Sequence, residues 1–178
     1  LEQQQKLHEA EMIFRQCYNL SEKLADKRGQ AIVLNSLGQI LQYQEGEEKF
    51  DLALMYFRAS IKLGEELNDQ KHLATVHTTI GRALLTHGKI VEAVEELSKG
   101  FEIDENLRNA SGLKKVTSQL TYALVKLGRR QDAINYCQRA LNIKPNDLHF
   151  IQMLDKISLQ SKSTVKPIIK RNLAKKLD

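Results

Sequence analysis

The chain has 178 residues, of which 42% are hydrophobic and 28% are charged. This composition is typical of a folded helical protein and excludes an intrinsically disordered chain. No stretch approaches the roughly 18 to 20 uncharged apolar residues needed to span a bilayer, and the opening residues LEQQQKLHEAE are too polar for a secretory signal. The sequence therefore predicts a cytoplasmic protein.

The net charge of +5 is concentrated at the C-terminal end of the chain. Residues 161–178 hold six bases and one acid, which accounts for the whole excess, so residues 1–160 are neutral overall. The two cysteines, Cys17 and Cys137, are 120 residues apart and belong to no Cys/His cluster. Neither a disulfide nor a zinc site is predicted, and we expect both thiols to be buried as small apolar groups.

Apolar residues recur at helical spacing along the chain, and the helical pattern is already under way at Leu1. We therefore expect a piece of a longer protein that opens with half of a repeat unit, over 6–28. Ala10, Phe14 and Cys17 occupy the packed face of that helix. Three complete units follow at 29–68, 71–109 and 111–145, then a capping helix at 146–160 and a basic amphipathic tail at 161–178.

The three complete units share the pattern alanine, bulky residue four positions later, small residue three positions after that. A spacing of 40 residues separates its copies, and a small residue on the preceding helix accompanies each copy. The three copies of the pattern are Ala53, Phe57, Ser60; Ala93, Leu97, Gly100; and Ala133, Cys137, Ala140, and the small residues before them are Gly38, Gly81 and Thr121. Between Gly38 and Ala53 there are three additional residues, which we assign to the polar loop around EGEEKF.

These segments resemble the tetratricopeptide repeat. LGQIL at 37–41, IGRAL at 80–84 and LTYAL at 120–124 resemble its first-helix motif, and Pro145 matches its terminal proline. Glu65 and Glu105 replace that proline in the first two units, so the resemblance is closest to the branch with longer helices and repeats of about 40 residues. It implies an all-α fold, a right-handed α-α superhelix of stacked helical hairpins. The sequence departs from the family at the tryptophan position, which holds Leu34, His77 and Thr117.

The segment after Pro145 has the pattern of a helix that covers the last hairpin. Asn146 or Asp147 is the expected N-cap. The predicted apolar face consists of Leu148, Ile151, Met153, Leu154 and Ile157.

No motif in the sequence predicts catalysis. Phosphate-binding loops, dinucleotide fingerprints, H-E-x2-H and G-x-S-x-G are all absent from the chain. The histidines show no metal-ligand spacing, since His72 and His77 are five residues apart and do not share a helix face; the others are His8, His87 and His149. We expect a protein that is not an enzyme and that binds no metal or cofactor.

In the family that the chain resembles, the first helix of each hairpin lines a concave face on which partner peptides lie. The expected first helices, 29–44, 71–87 and 111–127, contain no Asp or Glu, although 22 acids among 178 residues would place about six there. Two explanations stay open: the groove selects acidic or uncharged partners, or helices sandwiched on both sides tolerate few charges. The expected groove residues are Asn35, Gln39, Gln42, Tyr43, Thr75, Thr78, Thr79, Arg82, Lys115, Ser118, Gln119, Tyr122 and Lys126.

The favoured function is a scaffold that binds a partner protein or peptide in this groove. A first alternative is a sensor array inside a larger signalling protein, such as a regulatory NTPase, whose other domains are the partners. A second alternative is nucleic-acid binding through the basic tail, which is weakened by the absence of aromatic residues that stack on bases. The tail is more readily explained as an additional capping helix or the start of a linker.

Overall fold

The computed structural model describes residues 2–158, and every regular element in this range is a helix. The helices are α1 (Glu2–Lys23), α2 (Lys27–Leu41), α3 (Glu47–Glu66), α4 (Gln70–Thr86), α5 (Ile90–Asn106), α6 (Ala110–Lys126) and α7 (Arg130–Ile143). A further helix covers 148–158. Each of α1 to α7 packs on the next along the chain, which confirms the predicted all-α repeat fold. The predicted tail at 161–178 lies outside the described residues.

The helices pair into three hairpins, α2 with α3, α4 with α5 and α6 with α7, and the first helices α2, α4 and α6 form one continuous row. α2 contacts α4, and α4 contacts α6. In the row of second helices, α5 contacts α7, whereas the described helices α3 and α5 are not in contact. The first-helix row is therefore the more closely packed of the two, which is the arrangement expected for the inner side of a curved array.

The helix boundaries differ most from the prediction at α2. This helix begins at Lys27 and ends at Leu41, whereas 29–44 was expected. The amide of Tyr43 bonds to the carbonyl of Ile40 in a tight i to i−3 turn, so the chain leaves the helix there. The linker at 42–46 is two residues longer than the linkers at 87–89 and 127–129, and residues 47–50 of the expected polar loop instead form the start of α3.

A repeated cap sets the start of each first helix. The side chains of Asp26, Asp69 and Asn109 accept hydrogen bonds from backbone amides three residues later, at 2.9, 3.0 and 3.2 Å. Each satisfies an amide that the helix itself leaves unpaired. The residue before each cap has a positive φ of 50° to 52°, which reverses the chain from one hairpin into the next: Ala25, Asn68 and Arg108.

Within each hairpin, a small residue on the first helix makes room for a bulky one on the second. A Cβ atom on Gly38 would lie 2.6 Å from the Phe57 ring, and one on Gly81 would lie 2.7 Å from Leu97 Cδ2. In the third hairpin the relation is reversed, since the larger Thr121 takes the glycine position and the smaller Cys137 takes the bulky position. An increase in side-chain size at one position of the pair is thus offset by a decrease at the other, so the total volume of the two side chains stays similar in the three hairpins.

The two cysteines differ in their surroundings. Cys137 is fully buried, as predicted, and burial raises the pKa of its thiol to about 12. Cys17 is exposed, so its predicted burial is wrong. The equivalent residues of later hairpins, such as Ser60, are covered by the first helix of their own hairpin, and the described residues contain no helix on that side of α1. Ile13 and Leu20 on the same side are each 58% exposed.

The last helix is capped as expected, but its buried face was predicted only in part. Asp147 Oδ1 accepts a hydrogen bond of 2.9 Å from the His149 amide, which makes Asp147 the N-cap. Leu148 is 71% exposed, so its predicted burial is wrong. The buried stripe runs through Phe150 and Ile157, seven residues apart and therefore on one helix face, whereas Leu148 and Ile151 fall on the other side.

The pairing of small and bulky residues predicts a coupled effect of substitution at Gly81 and Leu97. Gly81→Thr should destabilise the protein by about 1 to 3 kcal/mol because the added side chain overlaps Leu97. Adding Leu97→Cys recreates the Thr121 and Cys137 pair, so the double variant should lose less than the sum of the single losses, by about 0.5 to 3 kcal/mol. Urea unfolding followed by circular dichroism measures all three.

The matched control combines Gly81→Thr with Phe150→Cys, which shrinks a buried side chain beyond the next hairpin. Its two losses should add, since the sites are separated by the α6 and α7 hairpin. If the losses in unfolding free energy of Gly81→Thr and Leu97→Cys also add in their double variant, the proposed pairing is contradicted.

Candidate binding groove

A cavity of about 590 Å³ lies between α4 and α6 on the first-helix row. Bases, hydroxyls and amides line most of its wall, so we call it the cationic cavity. It is lined by Gln39, Lys71, Thr75, Thr78, Thr79, Arg82, Asp104, Asn109, Ser111, Gly112, Lys115 and Gln119.

Three bases converge on the cationic cavity: Lys71, Arg82 and Lys115. None of them forms an ion pair within residues 2–158, whereas many other bases of the chain do, such as Arg28 and Arg139. Arg82 Nη2 lies 3.5 Å from Gln39 Oε1, at the outer limit of a hydrogen bond across to α2. The cavity therefore carries three positive charges with no fixed counter-charge on their ammonium or guanidinium groups.

Some neutral groups of the cationic cavity have their donors already in use or carry a free acceptor. Thr75 donates its hydroxyl proton to the carbonyl of Lys71, and Thr79 donates to the carbonyl of Thr75, each at 2.9 Å. Their remaining lone pairs can only accept. Gln119 Oε1 is buried and has no hydrogen-bond partner among the described residues. An extended peptide has amide protons to match such acceptors and needs donors for its carbonyls and carboxylates.

One carboxylate, Asp104, borders the cationic cavity and was not predicted as a site residue. It comes from the second helix α5, is 3% exposed, and accepts a hydrogen bond of 2.7 Å from Asn109 Nδ2. Burial raises the pKa of its carboxyl group, while the bond from Asn109 and the nearby charge of Lys115 act in the opposite direction. A Cβ atom at Gly112 would overlap the Asp104 carboxylate, so the glycine provides the space for it. Gly112 was therefore the feature of the sequence that could have indicated a side chain from another helix at this place.

The surface between α2 and α4 contains a second set of polar groups. Asn35 is 8% exposed, and its Oδ1 has no partner within the described part of the chain. Nearby, Ser60 Oγ donates its proton to the carbonyl of Ala31 at 2.7 Å. His72 Nε2 lies 2.8 Å from Ser60 Oγ, and it must be the donor in this second bond because the hydroxyl proton is already used. Burial lowers the pKa of His72, which favours the neutral ring in this position.

A cavity of about 550 Å³ lies on the other side of α6, against the last helix, and we call it the apolar cavity. Its two aliphatic hydroxyls are used internally: Ser118 Oγ donates to the Lys114 carbonyl and bonds to His149 Nε2, both at 2.8 Å, and Thr121 donates to the Thr117 carbonyl at 2.8 Å. It is lined by Ser118, Thr121, Tyr122, Val125, Lys126, His149, Met153, Lys156 and Ile157.

The structure distributes the predicted groove residues over several places. Asn35 lies between α2 and α4, and Gln42 is buried, with 3% exposure. Tyr43 lies in the loop after α2 and is 49% exposed. Ser118, Tyr122 and Lys126 line the apolar cavity. The cationic cavity brings together Gln39, Thr75, Thr78, Thr79, Arg82, Lys115 and Gln119.

The sequence model of the tetratricopeptide repeat family matches residues 119–147, which covers the end of α6 and all of α7. The rest of the described chain repeats the same hairpin geometry. This match and the all-helical repeated arrangement together support a tetratricopeptide-type repeat protein. No curated protein matches it significantly. Repeats of this type generally serve as scaffolds for protein–protein interaction, and the family is typically non-enzymatic.

Two further observations concern residues 2–158. No helix there is both long enough and apolar enough to cross a membrane. No group of three or more His, Cys, Asp or Glu residues in that range is arranged to hold a metal ion.

The buried carboxylate of Asp104 predicts a pH-dependent difference in stability. Because its pKa in the folded state is raised, ionisation costs the folded state stability as the pH rises from the ordinary value of 3.8 through the raised one. Asp104→Asn is never ionised, so its unfolding free energy relative to wild type should increase between pH 4 and pH 7. Urea unfolding at both pH values measures it.

Asp51→Asn, which neutralises an exposed carboxylate on α3, is the control. The relative stability of that variant should change little over the same range. An Asp104→Asn difference that stays constant with pH would mean that the carboxylate is not destabilised by its burial.

Proposed function

We propose that the concave groove binds an extended segment of a partner protein, with a preference for acidic or uncharged residues. The observation that carries the proposal is the convergence of Lys71, Arg82 and Lys115, all without ion pairs among the described residues, on the cationic cavity. The same chemistry serves if the segment belongs to another domain of a longer chain.

The distribution of charge among the helices supports the same preference. With the boundaries that the structure has, α2, α4 and α6 still contain no Asp or Glu. Lys71 and Lys115 on these helices are exposed, so charge is tolerated at such positions. Low tolerance for charge would exclude bases as well as acids, so it does not explain why only the acids are missing. Exclusion of like charge from an acid-binding wall does account for it.

The groove chemistry matches a peptide in two ways. Arg82 and the two lysines can donate charge-assisted hydrogen bonds to side-chain carboxylates, and these are stronger than bonds between neutral groups. The hydroxyl oxygen of Thr75, which is exposed, can accept from a backbone amide. The buried Asp104 limits how far an acidic side chain can descend beside Lys115. Since two of the bases are exposed, affinity should fall as salt is raised.

The test is an affinity pull-down with the wild-type chain beside the variant Arg82→Glu, Lys115→Glu. Reversing two charges should remove the partners that bind through acidic segments, because each substitution places a like charge against the ligand. Captured proteins are identified by mass spectrometry, and overlapping peptides from each are assayed for direct binding. We expect the binding peptides to be rich in Asp and Glu and to lose at least tenfold in affinity for the variant.

The control variant Lys62→Glu, Arg130→Glu makes the same change in net charge on the second helices α3 and α7. It should capture the same proteins as wild type. If the groove variant and the control capture the wild-type set equally, and both are as helical as wild type, the groove is not the binding surface.

A further inference from the structure

We propose that the partner segment also carries a bulky apolar side chain, three or four residues from its acidic residues, which inserts into the apolar cavity. This inference rests on the proposed function, because it places the second anchor of the same ligand. It concerns the surface between α6 and the last helix, which the charge argument does not involve.

The wall of the apolar cavity is suited to an apolar group. Tyr122 is 55% exposed, and Val125 and Met153 are partly exposed beside it. The hydroxyls of Ser118 and Thr121 are already bonded to backbone carbonyls. A polar ligand group would therefore find few free partners here, whereas an apolar side chain would remove apolar surface from water.

The rim of the apolar cavity is positively charged, and this favours acidic residues next to the apolar residue in the partner segment. Lys126 Nζ lies 5.7 Å from the centre of the Tyr122 ring, and Lys156 lies on the facing helix. Both bases match a segment that is acidic around its apolar residue. They argue against the chain's own residues 161–178 as the occupant, because that segment has Ile168 and Ile169 but a charge of +5.

Helix α6 is shared by the two cavities and sets the spacing of the two anchors. Lys115 and Gln119 face the cationic cavity, and Ser118 and Tyr122 face the apolar cavity. Lys115 and Tyr122 are separated by about 10 Å along the helix axis at 1.5 Å per residue. Neighbouring helix grooves are displaced sideways by about 8 to 10 Å. An extended peptide covers the resulting distance of about 13 Å with roughly four residues.

The experiment selects peptides from a phage-displayed library of random dodecamers on the immobilised full-length chain, at physiological salt. Wild type should enrich peptides with two or more acidic residues and with Leu, Ile, Met or Phe three or four positions away. Met153→Lys and Tyr122→Ser should keep the acidic preference but lose the apolar one. A peptide selected by wild type should bind these variants about 10 to 100 times more weakly, the effect of losing one buried apolar side chain.

Met55→Lys is the matched control, since Met55 is 63% exposed on α3, far from the groove. It should select the same peptides as wild type. Circular dichroism of each variant verifies that the helices are retained, and the two cavity variants differ in size and charge, so the result does not depend on one substitution.

The outcomes separate the two proposals. Enrichment of acidic peptides without an apolar preference would overturn this inference and leave the proposed function intact. Selection that is unaffected by Arg82→Glu, Lys115→Glu, or no enrichment at all, would overturn both. If the apolar preference arises only in a full-length chain carrying Ile168→Ser and Ile169→Ser, then the chain's own tail fills the cavity and the inference is wrong.

Discussion

The close approach of neighbouring helices is the constraint on which the rest of the structure depends. Two helices can meet at the position of Gly38 only because that residue has no side chain to compete with Phe57. The same limit returns between hairpins, where Gly64 makes room for Leu73 and His72, and Gly112 makes room for Asp104. At each contact one side is small, so the stacking of hairpins is set by pairs of residues and not by single ones.

This packing also determines the chemistry of the groove. Stacking buries the apolar sides of α4 and α6 and leaves one narrow strip of each facing the cationic cavity. That strip holds bases and hydroxyls, while acids are placed on the second helices and at the caps. Asp104 borders the cationic cavity and Asp69 borders the surface between α2 and α4, on either side of tight turns between hairpins. Both are held by neighbouring groups, Asp69 by Arg28 and Asp104 by Asn109.

Histidines and second-helix acids add polar contacts between neighbouring helices. His77 Nδ1 lies 2.7 Å from Glu96 Oε2, and Lys99 reaches the other oxygen of the same carboxylate at 2.7 Å. Burial tends to raise the pKa of Glu96, yet the hydrogen bonds from His77 and Lys99 together bring it below the ordinary value. In the second unit, the departure from the family pattern at His77 thus provides a polar contact that links α4 to α5. This contact orients the two helices of one hairpin without depending on apolar volume.

The sequence by itself determined the class of fold and the absence of acids from the segments that form α2, α4 and α6. These features depend on local periodicity and on a repeat of 40 residues, which are visible without knowing any contact. Only the tertiary structure decided which of those residues share a site. Gln42 is buried and Tyr43 leaves the helix, while Asp104 reaches the cationic cavity from the second helix α5. The same holds for Cys17, since exposure depends on whether another helix covers a position, and the pattern along one helix does not contain that information.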